Sequence, residues 1–156
     1  MLDIEENSTV LEYINSLTLL CVEDNKTTQL LYESILEDRV GQLIFANDGE
    51  EGYEKFLENK IDIVLSDYDM PVLNGLGLIS KIKKINPDIP IILGTAVEKI
   101  DVVVEALRLG VSNFLKKPIV AKELMNVLMK ATKSLIANEY IEKQRVKKIN
   151  RSYKIP

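Results

Sequence analysis

The chain has 156 residues, 46% hydrophobic and 28% charged, which is enough for one buried core, argues against a multidomain enzyme within these residues and places them outside the disordered and fibrous classes. It contains no histidine and one cysteine, Cys21, so histidine triads, histidine metal cages, four-cysteine zinc sites and internal disulfides are excluded, leaving carboxylates, hydroxyls and lysines for any chemistry. The net charge of −4 argues against direct nucleic-acid binding, although residues 139–156 hold six Lys or Arg against two acids, a local +4 that leaves −8 on the rest.

Residues 1–16 form an N-terminal extension in which Val10, Leu11 and Ile14 have helix-compatible spacing, suited to a short packed or partner-binding helix. No Lys or Arg precedes Lys26, and the early apolar run Leu19-Leu20-Cys21-Val22 is too short for a secretion signal or a membrane span, so a cytoplasmic protein is expected. Five short apolar runs then read as strands, at 17–22, 42–46, 61–66, 89–93 and 112–115. The first, third and fourth are apolar on most residues, which suits a parallel sheet covered on both faces. Helical patterns separate them. Leu31 and Ile35 mark the first; Tyr53, Phe56 and Leu57 the second; Leu78, Ile79, Ile82 and Ile85 the third; Ile100, Val103, Val104 and Leu107 the fourth. The fifth carries Leu124, Val127, Leu128, Ala131 and Leu135 along one face. A 3-4 spacing through Glu139, Glu142, Val146 and Ile149 lets this helix continue into a basic C-terminal extension, 139–156, though its polar positions do not establish a coiled coil.

Strict alternation predicts an α/β fold: a doubly wound (βα)5 parallel sheet of flavodoxin-like order 2-1-3-4-5, occupying residues 17–138. Ligand chemistry in such sheets gathers at the carboxyl ends of the strands. Those ends carry Glu23-Asp24, Asp67, Thr95-Ala96 and Lys117-Pro118. Two like charges about 4 Å apart at an effective dielectric near 20 repel by roughly 4 kcal/mol, so three converging carboxylates call for a cation. An all-oxygen donor set favours a hard ion such as Mg2+ (or Mn2+). A carboxylate beside such an ion, a lysine ammonium and a hydroxyl is equipped to receive a phosphoryl group.

These residues, together with the segment Asp67-Tyr68-Asp69-Met70-Pro71 that closes on Asn74-Gly75, resemble the receiver domain of bacterial two-component response regulators over residues 17–136. The resemblance implies that Asp67 is the phosphoacceptor and that Glu23 and Asp24 hold Mg2+, Asp24 more directly, with the backbone carbonyl of Asp69 completing the shell. It implies that Thr95 bonds the phosphoryl group and shifts on activation, that Lys117 contacts phosphate, and that Phe114 is the switch aromatic. Asp69 and Val97 fall at positions that affect dephosphorylation. Such a domain catalyses its own phosphorylation and dephosphorylation and is not a turnover enzyme. Its expected partners are a sensor histidine kinase or phosphotransfer protein, an effector protein or fused output domain, and a second copy in a phosphorylation-linked homodimer. Gly94, before Thr95, departs from the commoner pattern and loosens the end of its strand. Cys21, within an apolar strand, reads as core.

Three other readings stand beside this one. Asp67-Tyr68-Asp69 is an Asp-x-Asp, as in phosphatases of the haloacid-dehalogenase type, but Pro71 and the motif's place on the third strand oppose it. Gly75-Leu76-Gly77 begins like a dinucleotide fingerprint, yet Ser80 stands where the third glycine belongs. A receiver-like module that binds partners without phosphorylation is the third.

Overall fold

The computed structural model describes residues 2–96 and 98–153, so Val97, Lys154 and the sequence expectation placed on Val97 lie outside the described residues. The elements run α1 (Leu2–Ile14), β1 (Thr18–Val22), α2 (Lys26–Leu36), β2 (Gln42–Ala46), α3 (Gly49–Glu58), β3 (Ile63–Asp67), α4 (Gly75–Ile85), β4 (Ile91–Thr95), α5 (Ile100–Arg108), β5 (Asn113–Lys116) and α6 (Ala121–Tyr153). The five strands form one parallel sheet in the order β2-β1-β3-β4-β5, the flavodoxin-like doubly wound arrangement. Its switch point lies between β1 and β3, with Cys21 opposite Leu65 and Val22 opposite Ser66.

Pleating divides the strand side chains between two cores. Leu19, Cys21, Ile63, Leu65, Ile92 and Leu115 face a layer that includes Val10, Ile14, Tyr32, Leu36, Leu124 and Leu128 of α1, α2 and α6. Leu20, Val22, Val64, Ile91 and Leu93 face Phe56, Leu78, Ile79, Ile82, Val102 and Ala106 of α3, α4 and α5. Burial on both faces is the reason the strands read as continuous apolar runs.

Several helix faces differ from the sequence reading. On α2 the inward residues are Gln29, Tyr32 and Leu36, whereas Leu31 is exposed. On α5 they are Val102 and Ala106, and Ile100, Val104 and Leu107 face outward. Leu57 and Ile85 are also exposed. In each case apolar residues stand on more than one face, so periodicity leaves the phase of the helix open until the sheet supplies its partner.

Helix α1 lies against α6: the Tyr13 hydroxyl donates to Glu139, and Lys133 Nζ stands 3.9 Å from Glu6 Oε1. From Glu139 to Tyr153 every residue of α6 is exposed. Among the described residues no helix is long and apolar enough to cross a membrane.

Candidate functional site

Glu23 and Asp24 follow β1, Asp67 ends β3, and Lys117 follows β5. Because β1 and β3 are neighbours at the switch point, their ends bring the carboxylates of Glu23, Asp24 and Asp67 to within 4.8 Å of one another. Glu23 is 1% and Asp67 6% exposed, while Asp24 is open to solvent. Lys117 reaches in with Nζ 2.9 Å from Asp67 Oδ1 and 3.3 Å from Glu23 Oε2. The peptide bond between Lys117 and Pro118 is cis.

Burial raises the carboxyls of Glu23 and Asp67 above their ordinary range, and Lys117 only partly opposes this. For Glu23 the neighbouring Asp67 charge adds to the rise. Lys117 is itself desolvated, but its hydrogen bond to Asp67 and the charges of Asp67 and Glu23 outweigh that and raise its ammonium. One ammonium thus answers three carboxylates, and the acids remain under-compensated. The site fits a hard divalent cation on these grounds: three convergent oxygen donors, one of them solvent-facing, with a residual negative charge.

The other expected residues are placed less directly. Thr95 ends β4 with its side chain buried, and its hydroxyl donates to the carbonyl of Ala96 at 3.4 Å. Phe114 is half-buried, and with Thr95, Ala96 and Val103 it lines a cleft of about 280 Å3 between β4, β5 and α5. The Asp69 side chain is exposed and paired with Lys99, whose Nζ stands 3.4 Å from Asp69 Oδ1 and 5.2 Å from the centre of the Tyr68 ring. It does not join the carboxylate cluster of Glu23, Asp24 and Asp67. After Met70-Pro71, Val72 takes a φ of 69°, an uncommon conformation for a β-branched residue, and Asn74 then caps α4 by accepting from the Gly77 amide.

Sequence reasoning missed the support beneath Glu23. Gln29, on the inner face of α2, donates to the Glu23 carbonyl and to Asn47 Oδ1, the latter at 2.9 Å, tying β1 to the end of β2. The available signal was the spacing of Gln29, Tyr32 and Leu36, obscured by the more hydrophobic Leu31 and Ile35.

A family model described as response regulator receiver domain matches residues 19–129. The chain is 38% identical over 88 residues to chemotaxis protein CheY of Thermotoga maritima, covering 56% of this chain and 73% of that protein. It is 30% identical over 117 residues to transcriptional regulatory protein ZraR of Escherichia coli, covering 75% of this chain but only 26% of ZraR, so the chain spans about a quarter of that relative. The crystal structure of a response regulator receiver domain protein from Clostridium thermocellum superposes with a TM-score of 0.69 at 29% identity, covering 80% of this chain and 98% of that one.

Proposed function

The chain belongs to the response regulator receiver family, and on that premise we propose that it accepts a phosphoryl group on Asp67 and uses it to switch a protein-interaction surface. The observation that carries this reading is the convergence of Glu23, Asp24 and Asp67 within 4.8 Å, with Lys117 Nζ 2.9 Å from Asp67 Oδ1. An Asp67 carboxylate oxygen attacks the phosphorus of a phosphohistidine on a sensor kinase or phosphotransfer protein. The new O–P bond forms as the P–N bond breaks, and the departing imidazole takes a proton. The 156 residues hold no histidine, so the phosphohistidine lies outside them or the donor is a small phosphoryl compound.

Glu23, Asp24 and Asp67, with the backbone carbonyl of Asp69, would hold Mg2+ or Mn2+, which would neutralise charge on the transferring phosphoryl oxygens. Lys117 supplies a second positive charge at the same oxygens. Thr95 donates a hydrogen bond to the bound phosphoryl group, giving up its bond to Ala96, and Phe114 moves within the cleft beside it. The surface this alters is the face of α5, β5 and α6, where an effector protein, a fused output domain or a second copy is recognised. Residues 17–138 form the receiver body in this reading, with 1–16 and 139–156 as extensions.

Incubation with acetyl phosphate and Mg2+, followed by intact-mass measurement, tests the assignment. The wild-type chain gains one phosphoryl group and Asp67→Asn gains none; incorporation into Asp67→Asn would remove Asp67 from its role.

A further inference from the structure

The acidic pair stands where β1 leaves the sheet. The Glu23 amide still donates to the Ala46 carbonyl at 3.0 Å, but β2 ends at Ala46 and the Glu23 carbonyl passes to a side chain, that of Gln29. Gln29 lies on the inner face of α2, 8% exposed, and its amide donates one hydrogen to the Glu23 carbonyl and the other to Asn47 Oδ1, the latter at 2.9 Å. Lys26 Nζ stands 3.4 Å from Gln29 Oε1 and 3.2 Å from Asn47 Oδ1. Asn47 is held in turn, its Nδ2 and its backbone amide donating to Glu51 Oε2 at 3.1 and 3.0 Å. Carbonyl and carboxylate oxygens only accept and an ammonium only donates, so one orientation of the two side-chain amides satisfies the whole network.

The carbonyl that Gln29 holds belongs to the planar peptide joining Glu23 to Asp24, so this bond fixes the plane from which the Asp24 residue departs. The two acids differ in what else restrains them. The Glu23 carboxylate lies 3.3 Å from Lys117 Nζ and accepts from the Asn25 amide at 3.3 Å. The Asp24 carboxylate faces solvent and among the described residues has no hydrogen-bond or ion-pair partner. Its direction is therefore set by the backbone beneath it. A cation that had to order this backbone as it bound would lose affinity to the entropy of ordering.

We propose that Gln29 is a positioning residue for the divalent cation: by pinning the Glu23–Asp24 peptide to α2 and, through Asn47, to the end of β2, it sets the affinity of the acidic cluster for Mg2+. The proposal rests on Glu23, Asp24 and Asp67 being the metal site.

Calorimetric titration with MgCl2, with metal-free thermal scans alongside, tests it. Gln29→Met keeps the length and the apolar stem but loses both donors, and Mg2+ affinity is expected to fall about threefold to tenfold, the worth of one hydrogen bond. Asn47→Ala, at an exposed position, lowers the affinity by less, and adding it to Gln29→Met costs little more because the two act through one bond. Leu36→Val, in the core at the other end of α2, lowers the melting temperature without changing Mg2+ affinity, which separates positioning from packing. Phosphorylation of Gln29→Met by phosphoramidate is slowed most at low Mg2+, and the deficit shrinks as Mg2+ is raised. Wild-type affinity in Gln29→Met, an equal loss of affinity in Leu36→Val, or a deficit undiminished at saturating Mg2+ overturns the proposal and leaves the metal site in place. A wild-type chain that binds no Mg2+, or binds it as well after Asp24→Asn, overturns the metal site itself.

Discussion

At Asp67, a buried carboxylate burdens the fold that carries it. A carboxyl whose folded pKa lies above its unfolded value is bound by a proton more tightly in the folded state. Its contribution therefore falls as pH rises through the ordinary carboxylate range to the raised values of Glu23 and Asp67. Above those raised values, and without a divalent cation, that burden is fully present. Asp67→Asn removes part of it and leaves Lys117 paired with Glu23, so its metal-free melting temperature should exceed that of the wild type by a few degrees, on the order of 1 kcal/mol. Adding Mg2+ should narrow the gap by stabilising the wild type more. Thermal scans at pH 7 with and without Mg2+ decide the matter; a less stable Asp67→Asn would mean that the Lys117 pair outweighs the cost of burial.

At the scale of elements, the β3–α4 connection decides how Asp67 is presented. Gly75 opens α4 directly against the end of β3, where a Cβ would lie 2.5 Å from the Asp67 carbonyl oxygen and 2.9 Å from Tyr68 Cα. No L side chain fits without moving that backbone. Gly75→Ala should cost about 1 to 3 kcal/mol and slow phosphorylation, because the strain falls on the residues that aim the carboxylate. Asn74→Ala, which removes only the cap bond to Gly77, should cost about 1 kcal/mol with little change in rate. Urea unfolding and phosphoramidate kinetics on both variants separate the two effects. The strands and the acids at their ends were legible in the sequence because two-sided burial writes itself as apolar runs and because ordered carboxylates at strand ends are few. The contributions of α2 were not legible. Gln29 reaches the site only if the helix has one particular phase, and Leu30, Leu31 and Ile35 offer the pattern a competing one. Helix α5 shows the same ambiguity, burying Val102 and Ala106 while exposing its larger apolar residues.

At the scale of the whole molecule, stability is distributed very unevenly along the two outer helices. Helix α6, with 33 residues, is about 50 Å long, and only its first half packs on the sheet. Helix α1 joins that half through Val10 and Ile14, and the contact of Tyr13 with Glu139 marks where α6 leaves the body. A stretch without tertiary burial gains little from one apolar residue, since helices of this length are marginal in water by themselves. Ile14, 1% exposed, and Ile149, 48% exposed, therefore form a matched pair of probes. Ile14→Ala should lose about 2 to 5 kcal/mol through a cavity between α1 and the sheet, whereas Ile149→Ala should stay within about 0.5 kcal/mol of wild type. Urea denaturation at two protein concentrations checks both. A concentration-dependent loss in Ile149→Ala would show that a second copy covers the far end of α6, and a small loss in Ile14→Ala would show that α1 is an appendage with no share in the core.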